Sequence, residues 1–159
     1  MPRSNGRAIL SPHSKSLQDD PTMLPPVDYQ RLNVLVIDDQ DLVREIVVAI
    51  LRALKCRVIR SASDGPTALN LVADEAPDLI LCDIDMKPIN GLQFVEELQK
   101  RGFRDARRIP TIFLTAHSNA ELVRRAKLLG VDAYVVKPVK RAVLEERIRH
   151  VLGSQEPAP

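Results

Sequence analysis

The stretch LVIDDQD, residues 35–41, sets Asp38, Asp39 and Asp41 at the abrupt end of the apolar run Val34–Ile37. A short, continuous apolar run of this kind suits a strand buried on both faces. Crowding carboxylates in partly desolvated ground is costly, because like charges repel and burial disfavours the charged form. The run bears on the fold, and the cost of its ending bears on the chemistry.

Four further runs follow: CRVIRSA at 56–62, LILC at 79–82, IPTIFLTA at 109–116 and AYVV at 133–136. CRVIRSA is the most polar and is the candidate for a sheet edge. Between the runs lie helical stripes. Leu42, Val43, Ile46, Val47, Ile50, Leu51 and Leu54 form the first, with Asp41 placed to cap it. Pro66 fits the first turn of a second helix. Leu92, Val95 and Leu98 mark a third. Leu122, Val123, Ala126 and Leu129 mark a fourth that ends at Gly130. Val139, Val143 and Val151 mark a fifth, on which the charges of KRAVLEERIRH form a solvated face. Five consecutive βα units with right-handed crossovers predict a doubly wound five-stranded parallel α/β sheet with five helices.

The bulk properties agree with one ordinary globular domain. The chain has 159 residues, is 45% hydrophobic and carries a formal net charge of +2, which gives no mandate for nucleic-acid or membrane binding. Aromatic residues make up 3%, too few for a base-stacking platform. No apolar stretch approaches a membrane span, and the N-terminus lacks the apolar centre of a signal peptide, so a cytoplasmic location is expected. Cys56 and Cys82 form no close-spaced metal or redox motif and read as free thiols. The prolines at 2, 12, 21, 25 and 26, without periodicity, make residues 1–30 a flexible arm. The expected domain covers 31–152, with a disordered tail over 153–159.

In doubly wound sheets ligands bind beyond the carboxyl ends of the strands. The first run ends at Asp38 and Asp39, the third at Asp83, the fourth at Thr115 and the fifth at Lys137. Only the second ends without such a group, as suits an edge. Three carboxylates make a hard oxygen site suited to Mg²⁺ (or Mn²⁺). A lysine supplies a point charge for phosphate oxygens, a threonine hydroxyl supplies a hydrogen bond, and a carboxylate can attack a phosphoryl group. Taken singly, Asp38 or Asp39 could cap a helix, Thr115 could end a strand, and Lys137 could be a solvated charge. Their convergence points to an aspartyl-phosphate site, with the repulsion at IDDQD offset by a divalent cation.

In order and spacing, the strand-ending IDD, the block PDLILCDIDM…NG, IFLTA and AYVVKP resemble the receiver domains of two-component response regulators, from residue 32 to about 152. The resemblance implies a flavodoxin-like strand order 2-1-3-4-5. It makes Asp83 the phosphoacceptor, and Asp38 and Asp39 the acidic metal pair, with the Asp85 backbone carbonyl as a further metal ligand. It assigns Thr115 as the hydroxyl that follows the phosphate, the Ala116 amide as a phosphate contact and Lys137 as the lysine on the phosphoryl oxygens. Tyr134 becomes the aromatic switch, and Asp85 and His117 tune phosphoryl lifetime, although a surface role for His117 stays open. The Lys137–Pro138 bond is commonly cis in this family.

The implied partners are a histidine kinase or histidine phosphotransfer protein, and a protein target on the face of the fourth helix, fifth strand and fifth helix, with Arg124, Arg125 and Lys127 exposed. A monomer or weak dimer is expected, without nucleic acid or membrane. Two departures from the family pattern stand out. Lys87 and Pro88 occupy the fourth and fifth positions after Asp83, where proline is common at the fourth, and Val139 follows Lys137–Pro138 where an aromatic is frequent. The first predicts a different turn and an intact site.

Rivals remain. Asp83-Ile84-Asp85 resembles the Asp-x-Asp of haloacid-dehalogenase-type phosphatases, but there the nucleophile comes on the first strand and the acidic metal pair last. A pseudo-receiver acting without phosphorylation would not need the full site. Since GSQEPAP alone follows the fifth helix, the expectation is a stand-alone receiver that signals by contact or relays phosphate, not an enzyme with turnover of its own.

Overall fold

In the computed structural model, residues 26–102, 108–117 and 119–153 are described. Each apolar run forms a strand: β1 Asn33–Ile37, β2 Val58–Ala62, β3 Leu79–Asp83, β4 Thr111–Thr115 and β5 Ala133–Val136. All pair in parallel in the order β2-β1-β3-β4-β5, with Ile37 opposite Cys82 and Cys82 opposite Phe113. The helices are α1 Asp41–Ala53, α2 Gly65–Asp74, α3 Gly91–Arg101, α4 Ala120–Leu128 and α5 Arg141–Gly153. The expected fold is the observed one. Among the described residues no helix is long and apolar enough to cross a membrane.

Strand side chains alternate between two layers, the period-2 rule applied to a sheet covered on both sides. Leu35, Ile37, Ile80, Cys82 and Phe113 pack with Ala68, Leu69, Leu92, Phe94 and Ala126 of α2, α3 and α4. Val34, Val36, Leu79, Leu81, Ile112, Leu114 and Val135 pack with Val47, Leu51, Leu144, Ile148 and Val151 of α1 and α5. Truncating one of these fully buried leucines costs about 2–5 kcal/mol. The edge strand β2 is only half-buried over Val58–Arg60. There Arg60 donates to the carbonyls of Leu71 (2.8 Å) and Glu75 (2.6 Å), so a polar strand residue satisfies the end of α2.

Several helix-level expectations need correction. Asp41 is the first residue of α1, not its cap; Gln40 holds the cap position without a side-chain bond, and Asp41 pairs with Arg44. Within the expected first stripe, Leu42 and Ile46 are exposed and Val47 and Leu51 carry the packing. On α5 the buried line is Leu144, Ile148 and Val151; Val143 is exposed and Val139 precedes the helix. Asp64 caps α2, with Pro66 in the first turn, by accepting from the Thr67 amide at 2.8 Å. Asn90 and Gln93 form a reciprocal capping box at α3. The fourth helix ends at Leu128, and Gly130 takes φ +82° just beyond it.

Residues 1–25 of the expected arm and 154–159 of the expected tail lie outside the described residues. Tyr29–Arg31 form a 3-10 turn, and Tyr29 packs against the α1/α5 layer.

Candidate functional site

The carboxyl ends of the strands bring the singled-out side chains together. Parallel pairing aligns β1, β3 and β4 so that each apolar run gives out at the same edge. Asp38, directly after β1, is fully buried. Its amide donates to the Ala62 carbonyl (3.2 Å), extending the ladder, and its Oδ1 accepts from the Gln40 amide (2.9 Å). Asp83 ends β3 at 2% exposure and accepts at Oδ1 from the Asp85 amide (3.2 Å). Asp39 is exposed on the rim. Asp38, Asp39 and Asp83 each offer a carboxylate oxygen within 4.8 Å of the others.

Lys137 bridges two of these groups. Its Nζ lies 3.0 Å from Asp38 Oδ2 and 3.2 Å from Asp83 Oδ1. The approach to Asp38 Oδ2 is off the hydrogen-bonding direction, so that buried oxygen has charge nearby and no directed donor. Its backbone is fixed by a 2.7 Å bond from the Lys137 amide to the Thr115 carbonyl. The Lys137–Pro138 peptide is cis, as the resemblance implies.

The electrostatics follow from this crowding. Burial, and then the neighbouring Asp38 charge, push the Asp83 carboxyl up to about 6 despite Lys137. Burial alone would lower the Lys137 ammonium, but the two carboxylates outweigh it and hold it above its ordinary value. Cys82 packs in the α2–α4 layer, with its Sγ 3.2 Å from the Asp83 carbonyl oxygen. Burial holds its thiol well above the usual range, and both cysteines are free.

The other expected residues lie around the rim. Thr115, buried at the end of β4, donates from its hydroxyl to the His117 carbonyl (2.5 Å) and accepts from the His117 amide (3.0 Å). Its hydroxyl is engaged with its own loop. Ala116, His117 and Asp85 are exposed, and Tyr134 is turned outward at 39% exposure. Arg124, Arg125 and Lys127 are exposed on α4, as expected.

The β3–α3 loop keeps its anchor despite the shifted proline. Lys87–Pro88 is a second cis peptide, and the Gly91 amide bonds the Ile84 carbonyl at 2.8 Å. A Cβ on Gly91 would meet the Asp83 carbonyl oxygen at 2.6 Å and Ile84 Cα at 2.9 Å. Only glycine lets α3 start this close to the end of β3.

One residue escaped the sequence reading. Arg44 on α1 reaches back to the Asp38 carbonyl (2.8 Å) and to Asp41 (2.6 Å). The i,i+3 spacing of Asp41 and Arg44 is visible in the sequence; a bond to a backbone carbonyl is not.

Comparison with known proteins identifies the family. The family model described as the response regulator receiver domain matches residues 34–149. The probable transcriptional regulator ycf27 of Porphyridium aerugineum is 37% identical over 123 residues, which cover 77% of this chain and 49% of that protein. The chain thus spans about half the length of the transcriptional regulators it matches. Chemotaxis protein CheY-3 of Vibrio cholerae serotype O1 is 29% identical over 75% of this chain and 90% of that protein. Among solved structures, Vibrio cholerae CheY4 superposes with TM-score 0.69 at 25% identity, covering 76% of this chain and 98% of that one. The receiver domain of the histidine kinase CKI1 from Arabidopsis thaliana, complexed with Mg²⁺ and BeF₃⁻, superposes at TM-score 0.72 and 23% identity over 80% of this chain and 94% of that one, a likeness of fold. With its model matched across nearly the whole described domain, this chain belongs to the response regulator receiver domain family.

Proposed function

We propose that this chain accepts a phosphoryl group on Asp83 from the phosphohistidine of a histidine kinase or phosphotransfer protein, in the cytoplasm, and signals through the resulting change of its surface. The observation that carries this reading is the buried Asp83 carboxylate facing Lys137 at 3.2 Å, with two further carboxylates within 4.8 Å. In the transfer a carboxylate oxygen of Asp83 bonds phosphorus, the phosphorus–nitrogen bond breaks, and the donor imidazole keeps the electron pair. The acceptor must be ionised. At neutral pH a carboxyl that titrates at about 6 is mostly so, and Lys137 favours that form.

The residues present fit a divalent cation. Three convergent carboxylates form a hard oxygen set, and the buried Asp38 Oδ2 has no directed donor. Asp38, Asp39 and Asp83 would hold Mg²⁺ or Mn²⁺, with the Asp85 carbonyl as a further ligand. When bound, the ion supplies neutralisation of charge on the phosphoryl oxygens. Lys137 would provide a fixed positive charge for the phosphoryl oxygens, and the Ala116 amide and Thr115 hydroxyl would offer donors. For Thr115 to turn toward a phosphate it must leave the His117 backbone, and the outward Tyr134 would follow. The signal then appears on α4, β5 and α5, as a contact with a protein target or as relay of the phosphoryl group. His117 and Asp85, both exposed at the site mouth, would set access of the hydrolytic water.

Membership of the receiver family argues against the phosphatase alternative, and the acidic set argues against a phosphorylation-independent role. The test is incubation with acetyl phosphate and Mg²⁺ followed by intact-mass measurement. One phosphoryl increment is expected on the wild type and none on Asp83→Asn. Unchanged labelling in that variant overturns the assignment.

A further inference from the structure

We infer that Arg44 is a positioning residue for the cation site, acting through the peptide plane that joins Asp38 to Asp39. The inference rests on the proposed function, since it concerns the cation that Asp38 and Asp39 would hold. The carbonyl of Asp38 lies between the two carboxylate-bearing residues. Rotating that peptide plane re-aims the Asp39 side chain, which sits on the exposed rim with little else to hold it. Asp38 itself is fully buried, so its carbonyl needs a donor from the protein. Arg44 Nη1 provides one at 2.8 Å.

The geometry of α1 makes this reach natural. Helical side chains lean toward the N-terminus, so a residue in the first turn points back over the preceding loop. The guanidinium is itself held. Its Nη2 contacts Asp41 Oδ1 at 2.6 Å, and the Arg44 side chain is 19% exposed while that of Asp41 is 80% exposed. A planar fork with two donors serves the carbonyl and the carboxylate together, which a lysine ammonium on a flexible stem does less well. The same pairing occupies Asp41, the third aspartate of the IDDQD stretch, outside the cluster of Asp38, Asp39 and Asp83. It also offsets the arginine charge, which would otherwise oppose a cation nearby. Arg44 therefore touches neither the acceptor nor the cation and works by orienting a residue that does.

The experiment is isothermal titration of the chelator-treated 159-residue chain with Mg²⁺. Arg44→Ala should bind Mg²⁺ about tenfold more weakly, the scale seen when the partner of a metal ligand is removed. Arg44→Lys should recover part of that loss. Asp41→Asn keeps an oxygen acceptor for Arg44 Nη2 but no longer offsets its charge, so it should bind Mg²⁺ more weakly than wild type yet more tightly than Arg44→Ala. In an Asp39→Asn background, Arg44→Ala should cause no further loss, since the residue through which it acts is already altered. Circular dichroism in chelator reports the folding of each variant. If Arg44→Ala does not fold, Arg44→Lys carries the test, with weaker binding than wild type expected and equal affinity contradicting the inference. Unchanged or tighter Mg²⁺ binding by a folded Arg44→Ala overturns it, as does an undiminished effect in the Asp39→Asn background. Failure of the wild type to bind Mg²⁺ overturns the proposed function and this inference with it.

Discussion

The two ends of the sheet use the same residue type in opposite ways. At the amino end, Asp78 Oδ2 accepts from the Asn33 amide (2.8 Å), and Asp132 accepts from the Thr111 amide (2.9 Å) and from Arg108 (2.6 Å). Each aspartate is matched to a donor at the start of a neighbouring strand. At the carboxyl end, Asp38, Asp39 and Asp83 crowd together, Lys137 is shared between two of them, and Asp38 Oδ2 lacks a directed donor. At the amino end each of these aspartates has its donor, although the Asn33 side-chain amide is buried without a partner; the carboxyl end leaves negative charge unmatched. Unmatched buried charge is retained where something outside the chain completes it.

The largest expected consequence is in the pH dependence of stability. The folded protein holds the Asp83 proton up to about pH 6, against 3.8 for the ordinary group. Protonation therefore favours folding, and this contribution is complete below about pH 4 and lost as pH rises through about 6. The difference amounts to at most about 3 kcal/mol. Denaturant unfolding in chelator should show wild-type stability falling across that window and Asp83→Asn nearly flat. A wild type that gains stability there would contradict the crowding.

Next come the amino-end aspartates. Asp78→Ala leaves the Asn33 amide, and Asp132→Ala the Thr111 amide, without a partner in buried surroundings. Each should cost about 2 kcal/mol. Because neither residue faces the cation site, the loss should be the same with Mg²⁺ as with chelator. A loss that Mg²⁺ restores would erase the distinction between the two ends.

A smaller effect is expected at Asp38. Asp38→Asn keeps an oxygen for the Gln40 amide and leaves Lys137 paired with Asp83, while removing one of two facing charges. Above pH 7, in chelator, the variant should be more stable than wild type by on the order of 1 kcal/mol. The gain should disappear near pH 5, where Asp83 takes up its own proton. A less stable variant at both pH values would mean that Asp38 serves the fold alone.

The strand ends were legible in the sequence because a fully buried parallel strand reads as an unbroken apolar run, so the residue that breaks it marks the rim. Asp38, Asp83 and Thr115 were found this way; Lys137 follows an equally apolar run on β5, an edge strand of which only Val135 is buried. Helix faces were less legible. Apolar residues cover more than one face of α1 and α5, and one position rotates the side chain by about 100°, so Val143 and Leu144 exchange places between solvent and core. The cap of α1 was misplaced because Asp38 Oδ1 takes the Gln40 amide, and the helix begins at Asp41. The hold of Arg44 on a carbonyl and the turn of the Thr115 hydroxyl toward His117 depend on backbone placement, which residue types do not encode.

The central claim is that the carboxyl-end aspartates are completed by a divalent cation, and the change in unfolding free energy on adding Mg²⁺ tests it most directly. A ligand that binds only the folded state stabilises it by about 2.7 kcal/mol at a hundredfold excess over its dissociation constant. The wild type, Asp78→Ala and Asp132→Ala should all gain this increment, and Asp38→Asn should gain clearly less. An equal gain in Asp38→Asn, or none in the wild type, would contradict the account.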